Sequence, residues 1–174
     1  MTAAQPFFTG GLDELATRNF SELQGLFMKA PIPESVLVLN GSPKGRLLSL
    51  RYFDNGLPHS MVAALARLGV FPWDGKDFRA TTEYAGQGVN RIKLILPSFK
   101  LFSFFTRIGP SAIDGRPCIL LDYDQPGNPW FVRRVRDELR EVAPGLFLGS
   151  TMVKVRSGEV EMVLWFGIDS HHQA

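Results

Sequence analysis

The chain has 174 residues, 45% of them apolar and 21% charged, the length and composition of one globular domain; this excludes a disordered chain and a multi-span membrane protein. Lys and Arg total 19 against 17 Asp and Glu, a formal charge of +2, so no strong field directs the chain to nucleic acid or an anionic bilayer. Fourteen Phe stand against three Tyr and three Trp, an excess of the one aromatic that carries no polar group.

Residues 1–10 read as a flexible arm, 11–170 as a single domain and 171–174 as a polar tail. Leu12, Leu15, Ala16, Phe20, Leu23, Leu26 and Phe27 recur at three- and four-residue steps and predict an N-terminal helix, stopped by Pro31 and Pro33. A short strand over 36–39 precedes one over 46–53, which ends at Asp54-Asn55-Gly56. A second helix fits 58–68, with Pro58 in its first turn and Gly69 closing it. Strands follow at 78–84, 90–96, 99–107 after the Pro97-Ser98 break, and 117–123. Asn128 as N-cap, Pro129 behind it, and Val132, Val135, Leu139 and Val142 on one face suggest a third helix over 128–142, with strand as the alternative. Strands over 146–155 and 161–168, joined through Arg156-Ser157-Gly158-Glu159, form the clearest hairpin.

Several strands are apolar on both sides. In 99–107, Leu101 and Phe105 share one face while Phe102 and Phe104 share the other; in 161–168, Leu164 and Phe166 oppose Val163 and Trp165. A sheet with one wet face has no use for this pattern. The expected fold is mainly β with flanking helices (α+β): an antiparallel barrel of about seven or eight strands led by an N-terminal helix. A sandwich or a curved sheet wrapped on a helix are the alternatives.

The layout of a helical lead-in, a Trp73-Asp74-Gly75-Lys76 turn and a meander is accompanied by Gly88-Val89-Asn90-Arg91, Asp114-Gly115-Arg116-Pro117, Leu121-Asp122-Tyr123 and the run 144–149. On these residues, over about 35–170, the chain resembles the lipocalin-like (calycin) small barrels, in particular uncharacterised bacterial members. More distantly it is similar to plastid lipid-associated, fibrillin-type proteins. That resemblance implies a barrel that carries an apolar molecule.

Tyr84, Asn90, Arg91, Arg107 and Tyr123 are polar groups within or beside apolar strands, the kind that orient a ligand's head group in an apolar pocket. With Phe105 and Trp165 as apolar wall they form the expected ligand-binding set. Arg107, beside Leu101 and Phe105, suits a carboxylate or phosphate. Asp122 and Asp124 have the spacing of an acid/base pair, but they precede a Gln125-Pro126-Gly127 turn, where Asp serves local hydrogen bonds, so no catalytic residue is assigned. His59, His171 and His172 lack metal-ligand spacing, and no cofactor motif is complete. Cys118, the single cysteine, reads as a buried inert thiol. Arg133, Arg136 and Arg140 make a helical stripe that offers a peripheral membrane or protein contact. The opening residues lack the basic start of a secretory signal and no apolar run reaches membrane-spanning length, so a cytoplasmic location is expected. The expected function is binding of a hydrophobic small molecule, such as a fatty acid, isoprenoid or similar lipid. The alternatives are an enzyme on the same scaffold, using Asp122 or Tyr123 with Arg107, and a protein–protein interaction module.

Overall fold

The structure, a computed structural model, describes residues 8–51, 73–93 and 98–173. The helix expected at 58–68 and the turn at 54–56 lie outside the described residues. Eight strands are described: β1 (Pro43–Leu50), β2 (Trp73–Ala80), β3 (Ala85–Lys93), β4 (Ser98–Pro110), β5 (Pro117–Asp122), β6 (Val135–Ala143), β7 (Leu146–Lys154) and β8 (Val160–Gln173). Each pairs antiparallel with the next, and β8 returns to β1 through partners such as Leu47↔Phe166, closing the barrel. The β1–β2 seam is the thinnest, with Lys44↔Gly75 as its one partner pair among the described residues.

Strand parity sorts the side chains into two apolar cores. Phe78, Phe104, Ile119, Leu121, Leu139, Phe147, Phe166 and Ile168 point inward. Cys118, Leu120, Val142, Leu148, Met152 and Trp165 point outward from β5–β8 and would be wet without cover. The N-terminal segment covers them: Leu15, Leu23 and Phe27 are fully buried against this wall. The doubly apolar strands therefore follow from a barrel that is apolar inside and, among the described residues, roofed over half of its outside. Phe102 and Phe104 face in while Leu101 and Phe105 stay exposed on the unroofed half.

Instead of one continuous helix the segment forms α1 (Leu12–Leu15) and α2 (Phe20–Lys29). The break is a capping box. The Asn19 side chain accepts from the Glu22 backbone N–H at 3.0 Å, and the Glu22 carboxylate accepts from the Asn19 N–H at 2.8 Å. Arg140, on the outer face of β6 with a fully buried side chain, bolts α2 to the wall. It donates to the Phe27 carbonyl at 3.0 Å, forks onto both Asp114 oxygens at 2.7 Å, and stacks 4.5 Å from the Phe27 ring centroid.

Four further expectations change. Residues 135–143 are strand β6, preceded by a 3-10 turn (Val132–Arg134). Val135 and Leu139 are four apart, a spacing that keeps residues on one side of a strand as well as of a helix, so apolar spacing alone did not discriminate. With that helix the arginine stripe disappears: Arg133 pairs with Asp124 and Arg136 with Glu138, while Arg140 is buried. Residues 36–39 contain a 3-10 turn (Leu37–Leu39) in place of a strand. Trp73-Asp74-Gly75-Lys76 opens β2 rather than forming a turn ahead of it, and Gly75, at φ +127°, supports a register shift there.

The two barrel ends differ. At one end the connections are tight, 81–84, 111–116 and 144–145. That end is plugged: Val36 and Leu39 belong to the inner core, Val36 donates to the Glu83 carbonyl at 2.8 Å, and the Asn40 side chain accepts from the Ala80 N–H at 2.8 Å. The other end carries, among the described residues, 123–134 and 155–159, the former the longest described connection between strands. Long connections on a rigid scaffold are where binding residues concentrate.

Candidate functional site

Inside the barrel, toward the end with the long connections, one lysine sits among apolar walls. Lys76 shares the inward parity of β2 with Phe78, and its side chain is 5% exposed. Its ammonium donates to Asn90 Oδ1 at 2.7 Å and Tyr123 Oη at 2.6 Å, and pairs with Asp137 Oδ2 at 2.9 Å. Three N–H groups meet three acceptors. Asp137, 3% exposed, also accepts from the Tyr123 hydroxyl at 2.9 Å and from the Thr151 hydroxyl at 2.7 Å. Five polar side chains from β2, β3, β6, β7 and the end of β5 thus converge on one point.

Four rings enclose the ammonium. The centroids of Trp73, Phe104, Tyr123 and Phe166 lie 5.2–5.5 Å from Lys76 Nζ, within cation–π range. Glycines make room for three of them. A Cβ on Gly88 would come within 2.4 Å of the Phe104 ring, one on Gly149 within 2.3 Å of the Phe166 ring, and one on Gly45 within 2.5 Å of the Trp73 ring. Gly88 and Gly149 are the direct cross-strand partners of Phe104 and Phe166, so each ring lies over a bare stretch of neighbouring backbone. Beyond the cluster, Phe102, Phe131 and Val135 join Trp73 as partly buried apolar groups at the same end.

Burial dominates the electrostatics. Desolvation pulls the Lys76 amine below its ordinary value of 10.5, against the opposing charge and hydrogen bond of Asp137. Desolvation likewise pushes the Tyr123 phenol well above 10.0, and the Asp137 charge adds to it. The dry interior therefore brings the neutral amine closer to neutral pH and keeps the phenol protonated as a donor.

Of the seven residues expected to bind ligand, the structure brings Asn90 and Tyr123 into this cluster. Arg91 is buried on the outer side, where it joins β1 and β2 through the Pro43 and Asp74 carbonyls, both at 3.0 Å, and Asp77 Oδ1 at 2.7 Å. Tyr84 is exposed in the tight turn between β2 and β3 at the opposite end. Phe105 and Arg107 lie on the exposed outer face of β4, Phe105 beside an open groove of about 340 Å³ that also meets Asp77, Arg79 and Lys100. Trp165 is fully buried beneath α2, its ring 5.5 Å from that of Phe27. Asp122 Oδ1 accepts from the Asp124 N–H at 3.0 Å, the local turn bond its position suggested.

Lys76, Asp137, Thr151 and the rings of Trp73, Phe104 and Phe166 escaped the sequence reading. One signal was present: Lys76 and Asp137 are charges on the apolar parity of their strands, beside Phe78 and Leu139 respectively. It is visible only once both segments are read as strands. Among the described residues no group of three or more His, Cys, Asp and Glu is placed to hold a metal, and no helix is long and apolar enough to cross a membrane. No family model, curated protein or solved structure matches this chain.

Proposed function

We propose that the barrel binds an apolar small molecule, of the fatty acid, isoprenoid or similar lipid kind, at the end that carries the long connections. One observation carries this reading: the convergence of Lys76, Asp137, Tyr123, Asn90 and Thr151 inside an otherwise apolar interior. A buried ion pair is a poor source of stability, because its desolvation cost is about as large as its attraction, and apolar residues of similar volume often serve a core as well or better. Apolar walls with a few convergent polar groups are instead the composition of a small-molecule site. The ligand's polar end meets the cluster, and its apolar body lies along Trp73, Phe102, Phe131 and Val135.

Native mass spectrometry of the full chain, after gentle purification and after exposure to palmitic acid or farnesol, tests the reading. A one-to-one complex with an apolar molecule is expected. A protein that carries none from the cell and takes up neither probe overturns the proposal.

A further inference from the structure

The cluster has a property that an ordinary head-group site lacks: it is already saturated. All three donors of Lys76 are engaged, and its charge is matched by Asp137 at 2.9 Å. A ligand carboxyl group therefore enters this site as the neutral acid, because the amine has no free donor for a carboxylate and Asp137 repels one. A group that enters neutral and leaves the charge balance as it was meets no such obstacle. We propose, resting on the ligand-binding reading above, that Lys76 captures an apolar aldehyde or ketone covalently, as an imine held inside the barrel.

The neighbours of Nζ supply what the step needs. The ammonium passes one proton to Asp137, leaving a neutral amine beside a carboxylic acid. The nitrogen lone pair attacks the carbonyl carbon; a C–N bond forms, and the π pair moves to oxygen, which takes the proton from Asp137. The carboxylate then removes a proton from nitrogen and returns it to the hydroxyl. The C–O bond breaks, one water leaves, and the nitrogen lone pair closes the C=N bond. One ammonium and one carbonyl become one iminium and one water, with the Asp137 carboxylate restored and no oxidant or reductant. The iminium stands where the ammonium stood, beside the Asp137 carboxylate and within four rings that favour a cation. Tyr123, in contact with both Nζ and Asp137, is placed to donate to the oxygen as charge develops on it. Burial, which lowers the basicity of Lys76, eases the first proton transfer. Trp73, at the first position of β2, is a cage ring at the long-connection end.

Reductive trapping tests this on the full-length protein. The chain is incubated with decanal and cyanoborohydride, digested, and the six lysines (29, 44, 76, 93, 100 and 154) are compared by mass spectrometry. Lys76 is expected to be alkylated at least about tenfold faster than Lys100, although the Lys100 side chain is 65% exposed. Lys76→Arg, which keeps the charge beside Asp137, should abolish the fast site. Decanol, which has the same chain and no carbonyl, separates the two readings. If decanol is retained and Lys76 is labelled no faster than Lys100, covalent capture is refuted while binding stands. If neither probe is retained, both readings fall. The wild-type labelling ratio requires no variant to fold.

Discussion

Replacing Lys76 and Asp137 singly and together separates a recognition cluster from a structural one. Lys76→Met leaves the Asp137 carboxylate, 3% exposed, with only two neutral donors, the Tyr123 and Thr151 hydroxyls. Asp137→Asn leaves the Lys76 amine, 5% exposed, without its counter-charge. Each change breaks a buried pair and strands one partner, at a cost of about 3–5 kcal/mol. The double variant removes both charges, and the new amide still offers an oxygen to Thr151. Its cost should lie within about 1 kcal/mol of zero, as found when whole buried pairs are replaced by apolar groups. Urea unfolding followed by tryptophan fluorescence gives the three values, with an unchanged m-value showing that the same surface unfolds. Singles that cost nothing would mean that water reaches Lys76. A double variant as destabilised as the sum of the singles would mean that the two charges do not interact, and either result refutes the reasoning.

Acid should weaken the fold through Asp114 and Asp77. Hydrogen bonds from Arg140 hold the Asp114 carboxyl below its ordinary 3.8 against a smaller effect of burial. For Asp77 burial alone would raise the value, but hydrogen bonds from Lys100, Arg91 and Ser42 together outweigh it. In the window between the folded value and 3.8 the unfolded chain binds more protons, so stability is complete above about 3.8 and falls as pH drops through the folded values. Asp114→Asn should flatten that acid limb in denaturation curves, and an unchanged slope would contradict the assignment. Gly149→Ala drives a methyl group into the Phe166 ring and should cost about 1–3 kcal/mol in the same unfolding assay; a neutral result would show that the ring is free to move aside. Burial, with the Glu138 charge behind it, pushes the Cys118 thiol up to about 12, so iodoacetamide should modify it only in denaturant. Rapid labelling of the native protein would show that the covering wall opens readily.

Where one periodicity fits a segment, the sequence was readable. The inward and outward sets of 99–107 and the 146–168 hairpin are legible because alternation of two leaves no helical reading, whereas the eighth strand is expected at 36–39 and lies at 135–143. Residues 128–142 misled because Val135, Leu139 and the charges between them fit both periods. The outcome there depends on pairing with β5 and β7 and on Asp114 lying opposite Arg140, which are long-range facts. The helix break at Asn19 was written in the sequence as Asn19-Phe20-Ser21-Glu22, but the apolar repeat ran through it. The same dependence governs the site. Asn90 and Tyr123 stand out as polar groups in apolar strands, whereas the expected turn around Lys76 and the expected helix around Asp137 make a charge unremarkable there. Arg107 and Phe105 face outward by the parity of β4 and stay exposed because, among the described residues, no helix covers that half of the wall.

The central claim is that ligand enters the barrel from the long-connection end and stops at Lys76. Amide and methyl chemical shifts, recorded as decanol is titrated into labelled protein, test it most directly. Shifts are expected to concentrate on Lys76, Asn90, Tyr123, Asp137, Thr151, Val135 and Leu164, with Leu37, Glu83 and Ala112 at the plugged end unmoved. Shifts confined to the outer groove around Arg79, Gln87 and Phe105, or no shifts at all, would contradict it.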